Sequence, residues 1–202
     1  MPLFYQHNIN EHSSLAVWHI IEGEDFFLEK VPLQTKATHP HKRLQHLAAR
    51  YLLQILEPGF PYHLIEIADS NKPVLAKEKF HFSLSHCGDY AAAIINEKEL
   101  VGIDVEIITP RVERIKDKFL NQKEMDLLPA CNPKFLTLCW SAKEAMYKWH
   151  GKGQVDFKSN MIIDNLSYKE QQGILHARFQ NEEKIDLEIA FRFFEELCLA
   201  WV

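Results

Sequence analysis

Apolar and polar positions along this chain follow two periods. A two-residue alternation marks short strands, and a 3.6-residue recurrence marks two long helices. Residues 15–22 and 25–29 read as strands around the turn Gly23-Glu24, with Trp18, Ile20 and Phe26 as apolar content. A polar stretch over 34–41 leads to Pro40, a residue suited to a first helical position. Leu44, Leu47, Ala48, Tyr51, Leu52 and Ile55 then recur at helical spacing, and Pro58-Gly59 stops that helix. Residues 62–68 predict a strand and Asp69-Ser70-Asn71 a turn. In 80–85, Phe82 and Leu84 fall on one strand face and Ser83 and Ser85 on the other. Residues 90–95 and 100–107 predict two more strands, so that 80–107 forms an antiparallel meander.

The second half changes period. Thr109 and Pro110 open a short helix running through Phe119, and Asn121 with Glu124 three residues on forms a capping box for another. Asn132-Pro133 start the longest helix of this half, which Gly151 closes. Beyond Val155, strands are expected at 162–163, 174–179, 185–194 and 197–202.

Composition narrows the class. A hydrophobic share of 47% and a charged share of 25% over 202 residues describe a folded globular protein, not a disordered one. The formal net charge of -5 argues against a bulk nucleic-acid binder, though a local basic pocket is compatible with it. The four cysteines form no metal-binding spacing, and each lies in or beside an apolar segment, so buried free thiols are expected. No apolar run is long enough to span a bilayer and the start of the chain lacks a signal-peptide pattern. The expectation is a cytoplasmic protein, without membrane or nucleic-acid partners.

One stretch carries chemistry that the rest must explain. In Val101-Gly102-Ile103-Asp104-Val105-Glu106, two carboxylates lie two residues apart in an apolar strand and so share a face. Like charges held side by side in a core call for a positive partner, and a hard divalent cation suits oxygen ligands. The helix after Pro133 supplies further groups. Phe135, Cys139, Ala142, Met146 and Trp149 form its apolar stripe, and Thr137, Ser141, Glu144 and Lys148 a separate polar one. Glu144 and Lys148 alone would be an ordinary surface pair worth roughly 0.2–0.5 kcal/mol. Beside Asp104 and Glu106 they suggest a magnesium-phosphate site.

These segments resemble a known family. Gly102-Ile103-Asp104-Val105-Glu106, followed about forty residues later by Trp140-Ser141-Ala142-Lys143-Glu144-Ala145-Met146-Tyr147-Lys148, is similar to the signature pair of 4′-phosphopantetheinyl transferases. The closer likeness is to the long, monomeric, surfactin-synthetase-activating type. Asn71-Lys72-Pro73 resembles the family's Gly-Lys-Pro element, with asparagine in place of glycine. Phe82-Ser83-Leu84-Ser85-His86 resembles its Ser-x-Ser-His strand, so the likeness runs from about Lys42 to Gly153.

The resemblance implies an α+β fold of two similar lobes with antiparallel sheets, related by a pseudo-twofold axis. Residues 1–99 would form the coenzyme A side, and 100–202 the lobe with the magnesium site and carrier docking. The implied reaction moves 4′-phosphopantetheine from coenzyme A to a serine hydroxyl of an acyl or peptidyl carrier protein and releases adenosine 3′,5′-bisphosphate. By the resemblance, Asp104, Glu106 and Glu144 hold magnesium, Glu144 also takes the serine proton directly or through water, and Lys148 holds the pyrophosphate. His86, Ser85 and Arg43 would meet the 3′-phosphate or nucleotide, and Lys72 and Pro73 would border the adenine. Arg50 is either a further contact or a structural ion-pair partner. The segment 119–125 falls where the family docks its carrier, through Phe119, Leu120, Met125, Lys116, Lys118 and Lys123, unless those apolar residues simply anchor two short helices. A relative that keeps binding but has lost transfer is the competing expectation. The pathway served, fatty-acid or secondary-metabolite synthesis, is left open.

Overall fold

Seven residues from Ser13 to His19 are almost wholly buried and form β2, the central partner of β1 (Leu3–Asn8). The computed structural model describes residues 2–33, 37–75 and 80–202 of the chain. It is a mixed α+β structure of two compact units, residues 1–103 and 104–202, and the division falls inside one strand. Part of the expected polar stretch, residues 34–36, lies outside the described residues.

In the first unit an antiparallel four-stranded sheet runs β1-β2-β6-β5, with β5 at His81–Cys87 and β6 at Tyr90–Asn96. Every residue of β6 is buried, as its apolar run requires. Two helices pack with it: α1 (Glu24–Leu28) and α2 (Pro40–Leu56), which has Pro40 in its first turn. Leu47, Ala48, Leu52 and Leu53 of α2 are fully buried and meet Trp18, Phe82 and Ile95 in one core. A two-stranded ribbon, β3 (Ile65–Ile67) with β4 (Pro73–Leu75), completes the unit.

Two expectations for this unit need correction, and one strand goes beyond them. Residues 25–29 are helical, not a strand. Glu24 and Asp25 in the first turn suit the positive end of a helix, and Phe27 is buried against Trp18. The strand expected at 62–68 begins as a 3-10 turn at Tyr62–Leu64. Strand β1 was not foreseen, because its apolar residues Leu3, Phe4 and Tyr5 are consecutive and the polar Gln6, His7 and Asn8 follow, so the strand shows no two-residue alternation.

The second unit holds a five-stranded sheet in the order β7-β11-β10-β9-β8. Its strands are β7 (Ile103–Ile107), β8 (Met161–Lys169), β9 (Gln172–Gln180), β10 (Lys184–Phe193) and β11 (Leu197–Trp201). The predicted meander therefore ends at β6, since β7 pairs with β11 and not with the hairpin before it. A 3-10 turn at Pro110–Arg114 and then α3 (Lys116–Phe119) replace the single short helix expected up to Phe119, and α4 (Gln122–Leu127) is the second short helix expected after Asn121. The capping box is present: Glu124 N–H donates to Asn121 Oδ1 at 3.1 Å, and Asn121 N–H to Glu124 Oε2 at 2.8 Å.

Helix α5 (Pro133–His150) starts with Asn132 accepting from the Phe135 N–H, and Gly151 ends it in the left-handed region at φ 69°. The helix packs on β11 and β10. Its second stripe is not a solvent face: Thr137 and Ser141 are buried, and so is Lys143. Of the four free cysteines, Cys139 and Cys198 are buried as expected, while Cys131 is exposed and Cys87 half-buried. Among the described residues no helix is long and apolar enough to cross a membrane.

Candidate active site

Asp104 lies on the buried part of β7 and is only 3% exposed. Its Oδ1 accepts a hydrogen bond from Lys148 Nζ at 2.7 Å. The last turn of α5 therefore reaches β7 through Lys148, and Glu144, four residues before it, lies on the same side of the helix. The carboxyl of Glu144 is raised from 4.5 to about 7. Burial is the main cause, and the Asp104 charge adds to it; Lys148 opposes the shift, and Glu106 adds a smaller push upward. Glu106, half-buried further along β7, accepts from Trp140 Nε1 at 3.4 Å. The four residues singled out in the two motifs thus meet in one region of the second unit, although about forty positions separate them in sequence.

Among the described residues, no three His, Cys, Asp or Glu side chains stand close enough to form a ready cation site. The chemistry of the donors nevertheless fits magnesium. They are carboxylates, hard oxygen groups, and burial, with the Asp104 and Glu106 charges adding to it, favours a proton on Glu144 that a divalent cation would displace.

The first unit gathers a different set. Arg43, His46 and Arg50 lie along one side of α2 at spacings of three and four. Arg50 is 5% exposed and forms no ion pair with a carboxylate among the described residues, so burial lowers its guanidinium to about 10. Its Nη1 donates to His46 Nδ1 at 3.0 Å. Burial, the Arg50 charge and His86 at the end of β5 together lower His46 to about 4, which keeps that imidazole neutral. Among the described residues, the Nε atoms of Arg43 and Arg50 and Nε2 of His46 have no hydrogen-bond partner. A cluster of buried nitrogens with unused donors suits an anion. Arg43 is already engaged with Glu24 of α1 through a charge-assisted hydrogen bond.

Lys72 and Pro73 line a cavity of about 200 Å³ together with Leu75, Phe80, Phe82 and Leu100. Burial lowers the Lys72 ammonium to about 8. The asparagine that stands where the family pattern has glycine has a local explanation: Asn71 adopts φ 65°, the left-handed conformation that asparagine tolerates best after glycine. Ser85 is 6% exposed within β5. His41 is half-buried and its Nε2 lies 3.0 Å from the Gly88 carbonyl oxygen, whereas Lys42 is exposed.

In the segment 119–125 the anchoring alternative holds for two residues. Phe119 and Leu120 are each 1% exposed and belong to the core, with the Phe119 ring against Trp140 at 5.2 Å. Met125 is half-buried, and Lys118 and Lys123 are exposed. Sequence reasoning missed Glu124 as more than a cap, and gave no role to Lys143, Trp140 or Glu24. The signal for the buried pair was faint: a lysine just before Glu144 on a helix whose middle is buried almost all round.

A family model described as the 4′-phosphopantetheinyl transferase superfamily matches residues 100–200. Enterobactin synthase component D of Escherichia coli K12 is 31% identical over 159 residues, which is 71% of this chain and 74% of that protein. The 4′-phosphopantetheinyl transferase psf-1 of Bacillus pumilus is 38% identical over 95 residues, 45% of this chain and 40% of the length of that relative. The 4′-phosphopantetheinyl transferase AcpT of Escherichia coli K12 is 26% identical over 176 residues, 82% of this chain and 87% of that one.

Proposed function

Because the chain belongs to the 4′-phosphopantetheinyl transferase superfamily and is an enzyme of that type, we propose that it moves 4′-phosphopantetheine from coenzyme A to a serine of an acyl or peptidyl carrier protein. The observation that carries this reading is the Asp104–Lys148 contact beside Glu144 and Glu106: carboxylates for a cation next to a cation for phosphate. The serine Oγ forms a bond to the phosphorus next to pantetheine. The phosphorus–oxygen bond to the nucleotide half breaks, and adenosine 3′,5′-bisphosphate leaves.

Asp104, Glu106 and Glu144 would hold magnesium, which supplies charge neutralisation at the pyrophosphate. Lys148 steadies phosphate oxygens on the leaving side. Glu144 takes the hydroxyl proton, directly or through water. On the first unit, Arg43, Arg50 and His86 meet the 3′-phosphate, with Ser85 beside them, and Lys72 and Pro73 border the adenine. Both units lie in one chain, so a monomer is sufficient.

The test is product identity. Incubating the protein with coenzyme A, magnesium and an apo carrier should release adenosine 3′,5′-bisphosphate in step with carrier labelling. Release of orthophosphate would refute transfer, and tight carrier binding without turnover across a panel of carriers would favour a binding protein instead.

Glu144 gives a second expectation. A carboxyl raised in the fold contributes stability below its unfolded value near 4.5, and that contribution is lost as pH rises through about 7. Magnesium relieves this loss, so the melting-temperature gain from magnesium should grow between about pH 5 and about pH 8. Glu144→Gln should flatten that slope. An unchanged slope in the variant would remove Glu144 from the ligand set.

A further inference from the structure

We infer that Lys143, paired with Glu124, is a positioning residue for transfer: the pair fixes helix α5 at Glu144 against the turn that precedes α4. This rests on the transferase reading above. Lys143 is entirely buried and its ammonium has three oxygen partners: Glu124 Oε1 at 2.7 Å, the Phe119 carbonyl at 2.6 Å and the Phe157 carbonyl at 2.9 Å. All three of its N–H donors are thereby used. Glu124 is just as fully engaged. Its Oε1 also accepts from the Ile163 N–H at 2.9 Å, and its Oε2 from the Asn121 N–H at 2.8 Å. Two buried side chains thus tie the end of α3, the cap of α4, the 157 loop and β8 to a single point on α5.

Stability alone does not call for this arrangement. Taking an ammonium and a carboxylate out of water is expensive, and apolar residues of similar volume are often as stable or more so. The pair supplies fixed geometry that apolar packing does not. Successive helical residues point about 100° apart, so anchoring Lys143 sets the rotation of α5 and with it the direction of Glu144 and Lys148 towards Asp104. A second tie runs from the same turn: the Phe119 ring meets Trp140, whose indole N–H donates to Glu106. The turn over 119–124 and the catalytic carboxylates therefore move as one body. Displacing reacting groups by about 1 Å can cost roughly 10²-fold in rate.

The double variant Glu124→Gln/Lys143→Met separates geometry from stability. Each single variant strands a buried charge and should melt lower, whereas the double variant, with no stranded charge, should lose less than the two single losses summed. Its kcat for carrier labelling should stay about 10- to 100-fold low while the dissociation constant for coenzyme A remains within about twofold of wild type. Amide exchange over residues 120–124 should be faster than in wild type. A double variant with wild-type kcat and wild-type exchange would overturn the inference and leave the pair a purely structural one. Wild-type protein that labels no carrier would sink the transferase reading instead, and the exchange comparison would still decide whether the pair clamps the turn.

Discussion

Asp104→Ala should lower the rate of carrier labelling by about 10²- to 10³-fold or more while leaving the protein folded. Asp104 is the most buried of the three carboxylates and the one bonded to Lys148, so its loss removes a proposed metal ligand and releases the lysine from its place at once. The fold tolerates the change because the Lys148 side chain is 23% exposed and can turn to water. Labelling rate at saturating coenzyme A, with circular dichroism as the control for folding, checks this. A variant that labels at the wild-type rate contradicts the assignment of the metal site.

Phe119→Ala should destabilise the protein by about 3–5 kcal/mol, the usual consequence of removing a buried aromatic side chain. At about 2–4 °C per kcal/mol for a chain of this size, the melting temperature should fall by about 6–20 °C. The residue is 1% exposed and packs edge-on against Trp140, so the effect comes from a core cavity. A docking residue on the surface would instead leave the melting temperature within about 2 °C of wild type and weaken carrier affinity. That second pattern would return Phe119 to the docking surface and leave Lys118 and Lys123 as its neighbours there.

The sequence was most legible where local chemistry decides structure. The capping box at Asn121 and Glu124, Pro40 at the start of α2 and Gly151 in the left-handed region all depend on a few neighbouring residues, and all are present. Long-range pairing was less legible. Nothing local tells β7 to leave the β5–β6 hairpin and join β11, since that choice is made by burial on both faces of a strand. The short helix at Glu24–Leu28 was misread for a similar reason: two adjacent phenylalanines raise strand propensity, and tertiary packing of Phe27 overrides it.

At the site, the motif residues Asp104, Glu144 and Lys148 could be paired from spacing and family likeness. The buried pair Lys143–Glu124 could not, because a charged residue in a sequence reads as solvent-facing unless its partner is known. Arg50 was read as a ligand contact or an ion-pair partner, and its burial with no carboxylate partner among the described residues is visible only in three dimensions. These are the positions where the local rule fails, and both lie beside groups with a role in the proposed chemistry.

The most direct test of the central claim is the intact mass of an apo carrier protein after incubation with this enzyme, coenzyme A and magnesium. The account predicts a mass gain of one phosphopantetheine on the carrier's serine, absent with Asp104→Ala and absent when magnesium is chelated. A carrier panel that gains no mass with folded wild-type protein, or gains it equally with Asp104→Ala, would contradict it.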